Sequence, residues 1–238
     1  MEEYQDSFRR IEDHVRAGNT DLSEMGFWDL VRKVKLEPVL ARHWSEEVGR
    51  IDRLAFEARV RPRFPVAVGN AVLVGGAAIS IGLAWLGLEL AENEPSSFLS
   101  GLLVLAAGVG LSGALHDLGH WLVGRLGGMR FLAYYLDGPL RIQPGLKVDY
   151  ATYLRASAGR RAAMHAAGAI ASKIAPFAVF AWVYVVHRRA GSELLPEWSL
   201  WGLLGLGVLQ VVTDIVWSTR RSDWKKVRRE RAIARAAS

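Results

Sequence analysis

The chain of 238 residues contains no cysteine. This absence excludes disulfide frameworks, zinc or iron–sulfur sites with cysteine ligands, and thiol nucleophiles. The acidic, polar N-terminus also lacks the basic and then apolar build of a signal peptide, so nothing in it indicates cleavage or secretion. Any chemistry in this protein therefore has to come from other residue types.

Charge is missing from long stretches of the chain. Residues 1–63 hold 13 acidic and 12 basic side chains, whereas the 25 residues from Phe64 to Leu88 hold none. That run is longer than the roughly 20 residues that a helix needs to cross a bilayer. Together with three further apolar runs, it predicts an all-α polytopic membrane protein with about four transmembrane helices. We place the spans at Phe64–Leu88, Ser96–Val123, Ala162–Val186 and Trp198–Thr219.

The pattern divides the chain into three segments. Residues 1–63 are predicted to form a helical cytosolic segment, in which Pro38 interrupts the helical spacing of apolar residues. Residues 64–219 are predicted to form a membrane-embedded core, and residues 220–238 a basic cytosolic tail. After the second span, Phe131–Leu136 and Leu140–Gln143 flank a turn at Asp137-Gly138-Pro139, which predicts a small β-hairpin.

Basic residues cluster beside the apolar runs. Of the net charge of +6, much comes from the tail after Trp217, with 8 basic against 2 acidic residues, and from Arg125–Arg161, with 7 against 2. This placement is typical of the cytosolic flanks of membrane spans rather than of nucleic-acid binding. With an even number of spans, we expect an integral protein of the cell membrane with both termini in the cytosol. Its expected partners include the lipid bilayer and no nucleic acid.

The stretch His116-Asp117-Leu118-Gly119-His120 carries the strongest indication of chemistry. Residues four apart stack on one face of a helix, so His116 and His120 can bind the same ion. Neutral imidazole suits zinc, and a catalytic zinc site has three protein ligands and an open position for water. Asp117 follows about 100° around the helix, where its carboxylate would act as general base on that water. The usual residue at this position is Glu.

A third zinc ligand must come from another part of the chain. Asp214 is the one acidic residue inside the fourth apolar run. It lies six residues from Arg220, whereas His120 and His116 lie five and nine residues from Arg125. At about 1.5 Å per residue, these are depths of roughly 9 Å and roughly 8–14 Å below the charged flanks. The depth match predicts that Asp214 meets the two histidines.

Alternatives remain for the residues around this pair. Asp214 can instead form an ion pair with Lys173, and Asp223 is a competing carboxylate whose basic surroundings indicate a surface or capping group. Lys173 lies mid-span, where a lone charge needs a partner such as Asp117, or could stabilise an oxyanion. His165, at the start of the third span, could position a substrate or make a capping contact. The two histidines could form a hydrogen-bonded structural cluster, although ionisable groups inside an apolar span favour function.

Three blocks then stand in order along the chain: Ala114–Val123 with the H-D-L-G-H helix, Ala166–Lys173, and Leu209–Asp214. They resemble the H-E-L-G-H helix, the A-G-P-x-x-N helix and the late aspartate segment of the site-2-protease type of intramembrane zinc metalloprotease. The resemblance implies a single zinc ion held by two His and one Asp. It implies hydrolysis of peptide bonds in transmembrane or membrane-associated protein substrates, and strands near Phe131–Gln143 that engage an unwound substrate.

The sequence departs from this family at several positions. Asp117 stands where the family has Glu, and Ala169 and Ser172 replace the Pro and Asn of the second block. Ile215 follows Asp214 where the family has Gly. The substitutions put proton transfer and one polar contact in question. The residues that we expect to support the site are His165, Ser172 and Lys173.

Two other functions remain open from the sequence. Because Asp117 replaces the residue that moves the proton, the chain could be a catalytically weakened or inactive membrane scaffold or regulator with the same fold. The H-D-x-x-H motif also occurs in membrane di-iron desaturases, which need further histidine-rich motifs to ligate their two irons. This chain has six His, two of them in the N-terminal segment, too few for such a site. The sequence does not indicate an oligomeric state.

Overall fold

A computed structural model of the protein describes residues 1–137, 143–190, 194–216 and 222–236, and these are mostly helical. The helices are α1 (Glu2–Arg16), α2 (Phe27–Leu36), α3 (Pro38–His43), α4 (Ser45–Arg59), α5 (Val66–Asn93), α6 (Phe98–Leu126), α7 (Tyr150–Arg155), α8 (Ala158–Arg189), α9 (Glu197–Val216) and α10 (Asp223–Ala236). The strands are β1 (Arg63–Phe64), β2 (Phe131–Asp137) and β3 (Gln143–Val148).

The chain forms two compact units that interleave along the sequence. The first unit comprises Met1–Gly69, Trp121–Met164 and Val227–Ser238, and the second comprises Asn70–His120 and His165–Lys226. Four helices, α5, α6, α8 and α10, therefore each begin in one unit and end in the other. The predicted segment 1–63 shares its unit with the strands and with most of α10.

The N-terminal helices of the first unit have a hydrophobic core of their own. Phe27, Val31 and Val34 recur at spacings of four and three residues on α2, and all three are buried, as one face of an amphipathic helix should be. Helix α2 ends before Pro38, which begins α3, because proline fits the first turn of a helix but not its interior. Leu154 of α7 belongs to the same buried cluster, so this core includes a residue far along the chain.

The predicted hairpin after the second span is present, with an added strand. Strands β2 and β3 pair antiparallel, with Tyr134 opposite Leu146. The second strand begins at Gln143, where the predicted one ends, and residues 138–142 lie outside the described residues. Strand β1 was not predicted; it pairs with β2 so that Phe64 lies opposite Tyr134. A run of two residues is too short to show strand periodicity in the sequence.

Three of the described helices are long and apolar enough to cross a membrane, namely α5, α6 and α8. Their apolar side chains are largely not buried within the protein; Val72, Ile79 and Trp85 of α5, for example, are exposed. Helices that are apolar around their whole circumference are typical of membrane spans. These helices indicate an integral membrane protein. The predicted fourth span corresponds to α9, which ends at Val216, and residues 217–219 lie outside the described part of the chain.

The second unit packs four helices around a small apolar core. Its buried residues are Ala84, Leu88 and Ala91 of α5, Val104 and Ala107 of α6, Val179 and Val183 of α8, Leu194 and Leu195, and Leu200 and Leu203 of α9. The alanines allow the helices to approach closely, as small residues do in membrane bundles. This core includes residues of α6 and α8, the helices that carry His116, His120 and His165.

Candidate metal centre

Helix α6 presents two histidines on one face. The rings of His116 and His120 stand at 87° to each other with their centroids 4.7 Å apart, as a spacing of four residues on a helix allows. Two glycines bring α6 and α8 together here. A Cβ at Gly168 would overlap the ring of His120, and one at Gly119 would lie 2.9 Å from the backbone oxygen of Ala167. The sequence places glycine where the ring and the neighbouring backbone need the space.

Asp223, the first residue of α10, lies against both imidazoles. Its Oδ2 is 3.2 Å from Nε2 of His120 and 3.4 Å from Nε2 of His116. Its Oδ1 is 3.0 Å from Nζ of Lys226 and 3.7 Å from Nδ1 of His165. One carboxylate oxygen therefore faces the histidine pair, while the other is held by neighbouring positive or polar groups.

Asp223 is held in its ionised form. Burial by itself would raise the pKa of Asp223, but hydrogen bonds with His120 and His165 and the charge of Lys226 outweigh burial and hold that pKa below its ordinary value. The start of a helix also favours a negative charge, because its free N–H groups carry partial positive charge. A carboxylate that is ionised at neutral pH is ready to bind a cation.

Three of these side chains have donor atoms that lie close enough together to hold one metal ion. His116, His120 and Asp223 each offer one ligand atom, and these atoms lie within 4.8 Å of one another. With bonds of about 2.0–2.2 Å and tetrahedral geometry, zinc ligands stand roughly 3.3 Å apart. The two carboxylate–imidazole separations, 3.2 and 3.4 Å, match that value. Two imidazoles and one carboxylate make three possible protein ligands, the number that catalytic zinc sites use.

Asp214, the carboxylate that the depth argument predicts as third ligand, has a different partner. Its Oδ2 is 2.5 Å from Nζ of Lys173, which is the alternative that the sequence left open. The ammonium group also donates to the backbone oxygen of Ala169 at 3.1 Å. Among the residues that the structure describes, Asp214 is not in the group of close metal-binding side chains.

Asp223 was considered from the sequence but assigned a surface or capping role. The depth estimate considered only the residues inside the apolar runs, whereas Asp223 lies beyond Arg220 and begins a separate helix, α10. The sequence does carry a signal for this helix start. Ser222 and Asp223 precede a helix-forming run, and Ser and Asp are preferred where helices begin.

A chain of polar side chains supports His116 from the other side of its ring. Nδ1 of His116 lies 3.4 Å from Oγ of Ser172 on α8. The hydroxyl of Ser112 donates to the backbone oxygen of Ser172 at 2.7 Å, and Nε2 of Gln210 donates to Ser112 Oγ at 3.1 Å. A partner at the second ring nitrogen fixes the orientation of a ligating histidine. Ser172 therefore lies where a supporting residue is needed.

Asp117 and His165 are two further predicted residues, and both lie beside the histidine pair. Asp117 is 5% exposed and, as the next residue after His116 on α6, points about 100° away around the helix. The ring centroid of His165 is 6.2 Å from that of His120, and His165 meets Asp223 rather than open solvent. Among the predicted site residues, His116 and His120 lie together with Ser172 and His165 beside them, whereas Asp214 pairs with Lys173.

Comparisons of the chain with protein-family models, with curated proteins and with solved structures found no match. What the protein does has to be inferred from His116, His120 and Asp223 and from the groups around them.

Proposed function

We propose that this chain is an intramembrane zinc metalloprotease that hydrolyses peptide bonds of transmembrane or membrane-associated proteins. The zinc ligands are His116, His120 and Asp223, so Asp223 takes the role that the sequence assigned to Asp214. The observation that carries the proposal is the placement of one carboxylate oxygen 3.2 and 3.4 Å from two imidazole nitrogens on an apolar helix. Ionisable groups are costly inside such helices and mark function by default.

His116, His120 and Asp223 would hold the zinc ion, which when bound would lower the pKa of a water molecule and polarise the carbonyl of the scissile bond. The protein supplies the proton transfer. The carboxylate of Asp117 accepts the proton of the attacking water and passes it to the leaving amine. Its burial keeps competing solvent away from that proton. Because Asp is one methylene shorter than Glu, the backbone of α6 has to bring Asp117 closer to the reacting atoms.

The groups around the ligands orient them or neutralise charge. Ser172 orients the ring of His116, and His165 lies against Oδ1 of Asp223, the oxygen that does not face His116 and His120. Lys173 and Asp214 neutralise each other, which lowers the cost of two charges in an apolar span. In this scheme α9 is the fourth span and both termini face the cytosol of a cell membrane. The basic residues that flank the spans support that orientation.

One observation favours a second candidate, a membrane scaffold or regulator with weak or no turnover. Asp117 stands at the position that moves the proton, and a shorter side chain there weakens general-base catalysis first. Such a protein would keep its zinc but cleave slowly or not at all.

The zinc content of the detergent-purified full chain tests the ligand set. We expect about one zinc per chain in the parent, loss of zinc in His120→Ala and Asp223→Ala, and retention in Asp214→Ala. The last variant is the matched control, because it also removes an aspartate from the second unit. Loss of zinc in Asp214→Ala with retention in Asp223→Ala would restore Asp214 as the ligand. A parent without zinc, kept away from chelators, would overturn the proposal.

The same preparations test turnover on a mixture of labelled transmembrane peptides, with products resolved by mass. Asp117→Asn should keep its zinc and lose about 10²- to 10⁴-fold in cleavage rate, the usual effect of a general base. Equal cleavage by Asp117→Asn and the parent would remove Asp117 from the mechanism. A zinc-loaded parent that cleaves no peptide would favour the scaffold.

A further inference from the structure

Helix α8 contains a proline in its interior, Pro176, one turn after Ser172. Proline has no N–H, so it cannot donate the hydrogen bond that the residue four positions before it receives in a regular helix. The backbone oxygen of Ser172 therefore lacks the partner that a regular helix would give it. An unsatisfied backbone group is costly among apolar helices, and side chains of neighbouring helices can satisfy it.

Ser112 of α6 supplies the missing donor. Its hydroxyl donates to the backbone oxygen of Ser172 at 2.7 Å, and Ser112 is 6% exposed. On α9, the amide Nε2 of Gln210 donates to Oγ of Ser112 at 3.1 Å, so that the proton of the Ser112 hydroxyl is directed to Ser172. Ser112, Ser172, Pro176 and Gln210 all lie in the second unit, as do His116 and His120.

The bond from Ser112 lies in the middle of the contact between α6 and α8. Residues four apart share one face of a helix, and Ser112 precedes His116 by four residues. The residues of α6 meet those of α8 in reverse order: Gly108 beside Pro176, Ser112 bonded to Ser172, and the ring of His120 beside Gly168. The bond therefore fixes how α8 stands along α6 one turn before the histidine pair.

The side chain of Ser172 faces His116. Its hydroxyl donates to the backbone oxygen of Ala169 at 3.2 Å, so its oxygen is left to accept a hydrogen bond from Nδ1 of His116 at 3.4 Å. A proton on Nδ1 leaves the lone pair of a neutral imidazole on Nε2, the nitrogen that faces Asp223. A hydrogen bond of 3.4 Å is long, so a small displacement of α8 against α6 would break it.

We propose that Ser112 is a positioning residue for the metal centre. It ties α6 to α8 through the backbone oxygen that Pro176 leaves free, and Gln210 directs its hydroxyl. The tie keeps Ser172 within reach of His116, so that Nε2 of that histidine presents its lone pair to zinc. The inference rests on the proposed function, because it assumes that His116 is a zinc ligand.

A double variant separates positioning from ordinary stability. Ser112→Ala breaks the tie and leaves the backbone oxygen of Ser172 buried without this donor, so the metal-free protein should unfold at a lower temperature. Adding Pro176→Ala supplies an N–H that donates to the same oxygen within α8, but the tie to α6 stays broken. A purely structural role predicts that zinc affinity recovers together with stability. A positioning role predicts that only stability recovers.

Ser80 of α5 provides a matched control. It is 4% exposed and lies in the same unit, and its hydroxyl donates to the backbone oxygen of Gly76 in its own helix at 2.8 Å. Ser80→Ala and Ser112→Ala therefore each remove one buried hydroxyl from an apolar helix. Only Ser112→Ala removes a bond between α6 and α8.

The test is a competition titration of zinc against a chromophoric chelator, with thermal unfolding of the metal-free full chain measured in the same detergent. Ser112→Ala and the double variant should each raise the Kd for zinc by about 10-fold, since residues that orient metal ligands typically contribute 10- to 100-fold. Ser80→Ala should leave the Kd unchanged. If Ser112→Ala does not fold, the double variant, in which the backbone oxygen is paired again, provides the measurement.

NMR of the metal-free protein with isotope-labelled imidazoles adds a readout that needs no zinc. The signal of His116 is identified by its loss in His116→Gln. In the parent it should report the Nδ1-protonated form, and in Ser112→Ala a larger share of the Nε2-protonated form. The same form in both proteins would overturn the positioning role.

The outcomes separate this inference from the proposed function. If the parent binds zinc that His120→Ala loses, but the double variant binds it as tightly as the parent, only the positioning role is overturned. An equal rise of Kd in Ser80→Ala and Ser112→Ala overturns it as well. If the parent binds no zinc that depends on His120, the proposed function fails, and the inference with it.

Discussion

Helix α10 carries two carboxylates in contrasting surroundings. Glu230 is surrounded by the side chains of a lysine, an arginine and a tyrosine, each of which donates a hydrogen bond to its carboxylate. Asp223 is surrounded mainly by imidazoles, whose nitrogens can give up a proton and offer a lone pair to a metal ion. Both side chains are largely buried. The chemistry of the neighbours, rather than burial, distinguishes a structural carboxylate from a candidate ligand.

The same comparison explains Asp214. A carboxylate on an apolar helix has to be neutralised, but a single lysine is sufficient for that. Lys173 takes this role, so Asp214 resembles Glu230 in its surroundings more than it resembles Asp223. An acidic residue at the right depth is therefore a weaker indication of a metal ligand than an acidic residue beside two imidazoles.

The largest expected difference is in stability. In the metal-free protein, Glu230→Gln should cost about 3–5 kcal/mol, because it leaves Lys35 and Arg161 buried without their carboxylate. Asp223→Asn should cost about 1 kcal/mol, the value of an ordinary hydrogen bond, since imidazoles can remain neutral. Chemical unfolding of both variants in one detergent measures the difference. Equal losses would mean that the two surroundings are energetically alike.

A smaller effect is expected when the space beside the ring of His120 is filled. Gly168→Ala places a methyl group where the ring of His120 lies, so the ring must turn and zinc affinity should fall about 10-fold or more. Gly113→Ala is the control, since a Cβ there meets nothing within 4 Å. Zinc titration of both variants is the measurement. Unchanged affinity in Gly168→Ala would show that His120 is not a ligand in the orientation described.

The smallest expected effect is the pH dependence of stability on the Glu230 side. Burial alone would raise the pKa of Glu230, but Lys35 and Arg161 outweigh burial and hold the pKa below the ordinary 4.5. The unfolded chain therefore takes up this proton first as the pH falls. The stabilisation is complete above pH 4.5 and is lost as the pH falls towards the folded-state pKa.

Unfolding temperatures of the metal-free parent and of Glu230→Gln, from about pH 6 to about pH 3.5, check this sign. Glu230 loses its negative charge in the parent as the pH falls, so the difference between the parent and Glu230→Gln should shrink. Other carboxylates contribute to both curves alike and leave this difference unchanged. A constant difference across that range would contradict the expected titration.

Much of the fold could be predicted because its signals are local. Apolar runs with at most one charged residue each predict α5, α6 and α8, and the turn residues after Leu136 predict the hairpin. The pairing of Arg63 and Phe64 with β2 could not be predicted in this way. It depends on a contact between residues about 70 positions apart, which leaves no periodicity in so short a strand.

In the candidate site, too, the residues with local sequence signals could be predicted and the others could not. The spacing of His116 and His120 predicts their shared face, because helix geometry alone determines it. Asp223 lies in the basic tail beyond the fourth apolar run, and a count of residues inside that run cannot indicate that its carboxylate meets the histidines. Glu230 lies in a basic run, where its surroundings indicate solvent. Its burial becomes evident only when elements from three parts of the chain meet around it.

The core of the N-terminal helices has a consequence for the order of events during synthesis. Leu154 belongs to that core, and a Cβ at Gly49 would lie 2.7 Å from that of Ala151, so α4 packs closely on α7. About 95 residues separate Arg59, the end of α4, from Leu154. At about 5–20 residues per second, the ribosome needs roughly 5 to 20 s to make them. Both α5 and α6 are translated in that interval, so the N-terminal helices complete their packing only after those two apolar helices have emerged.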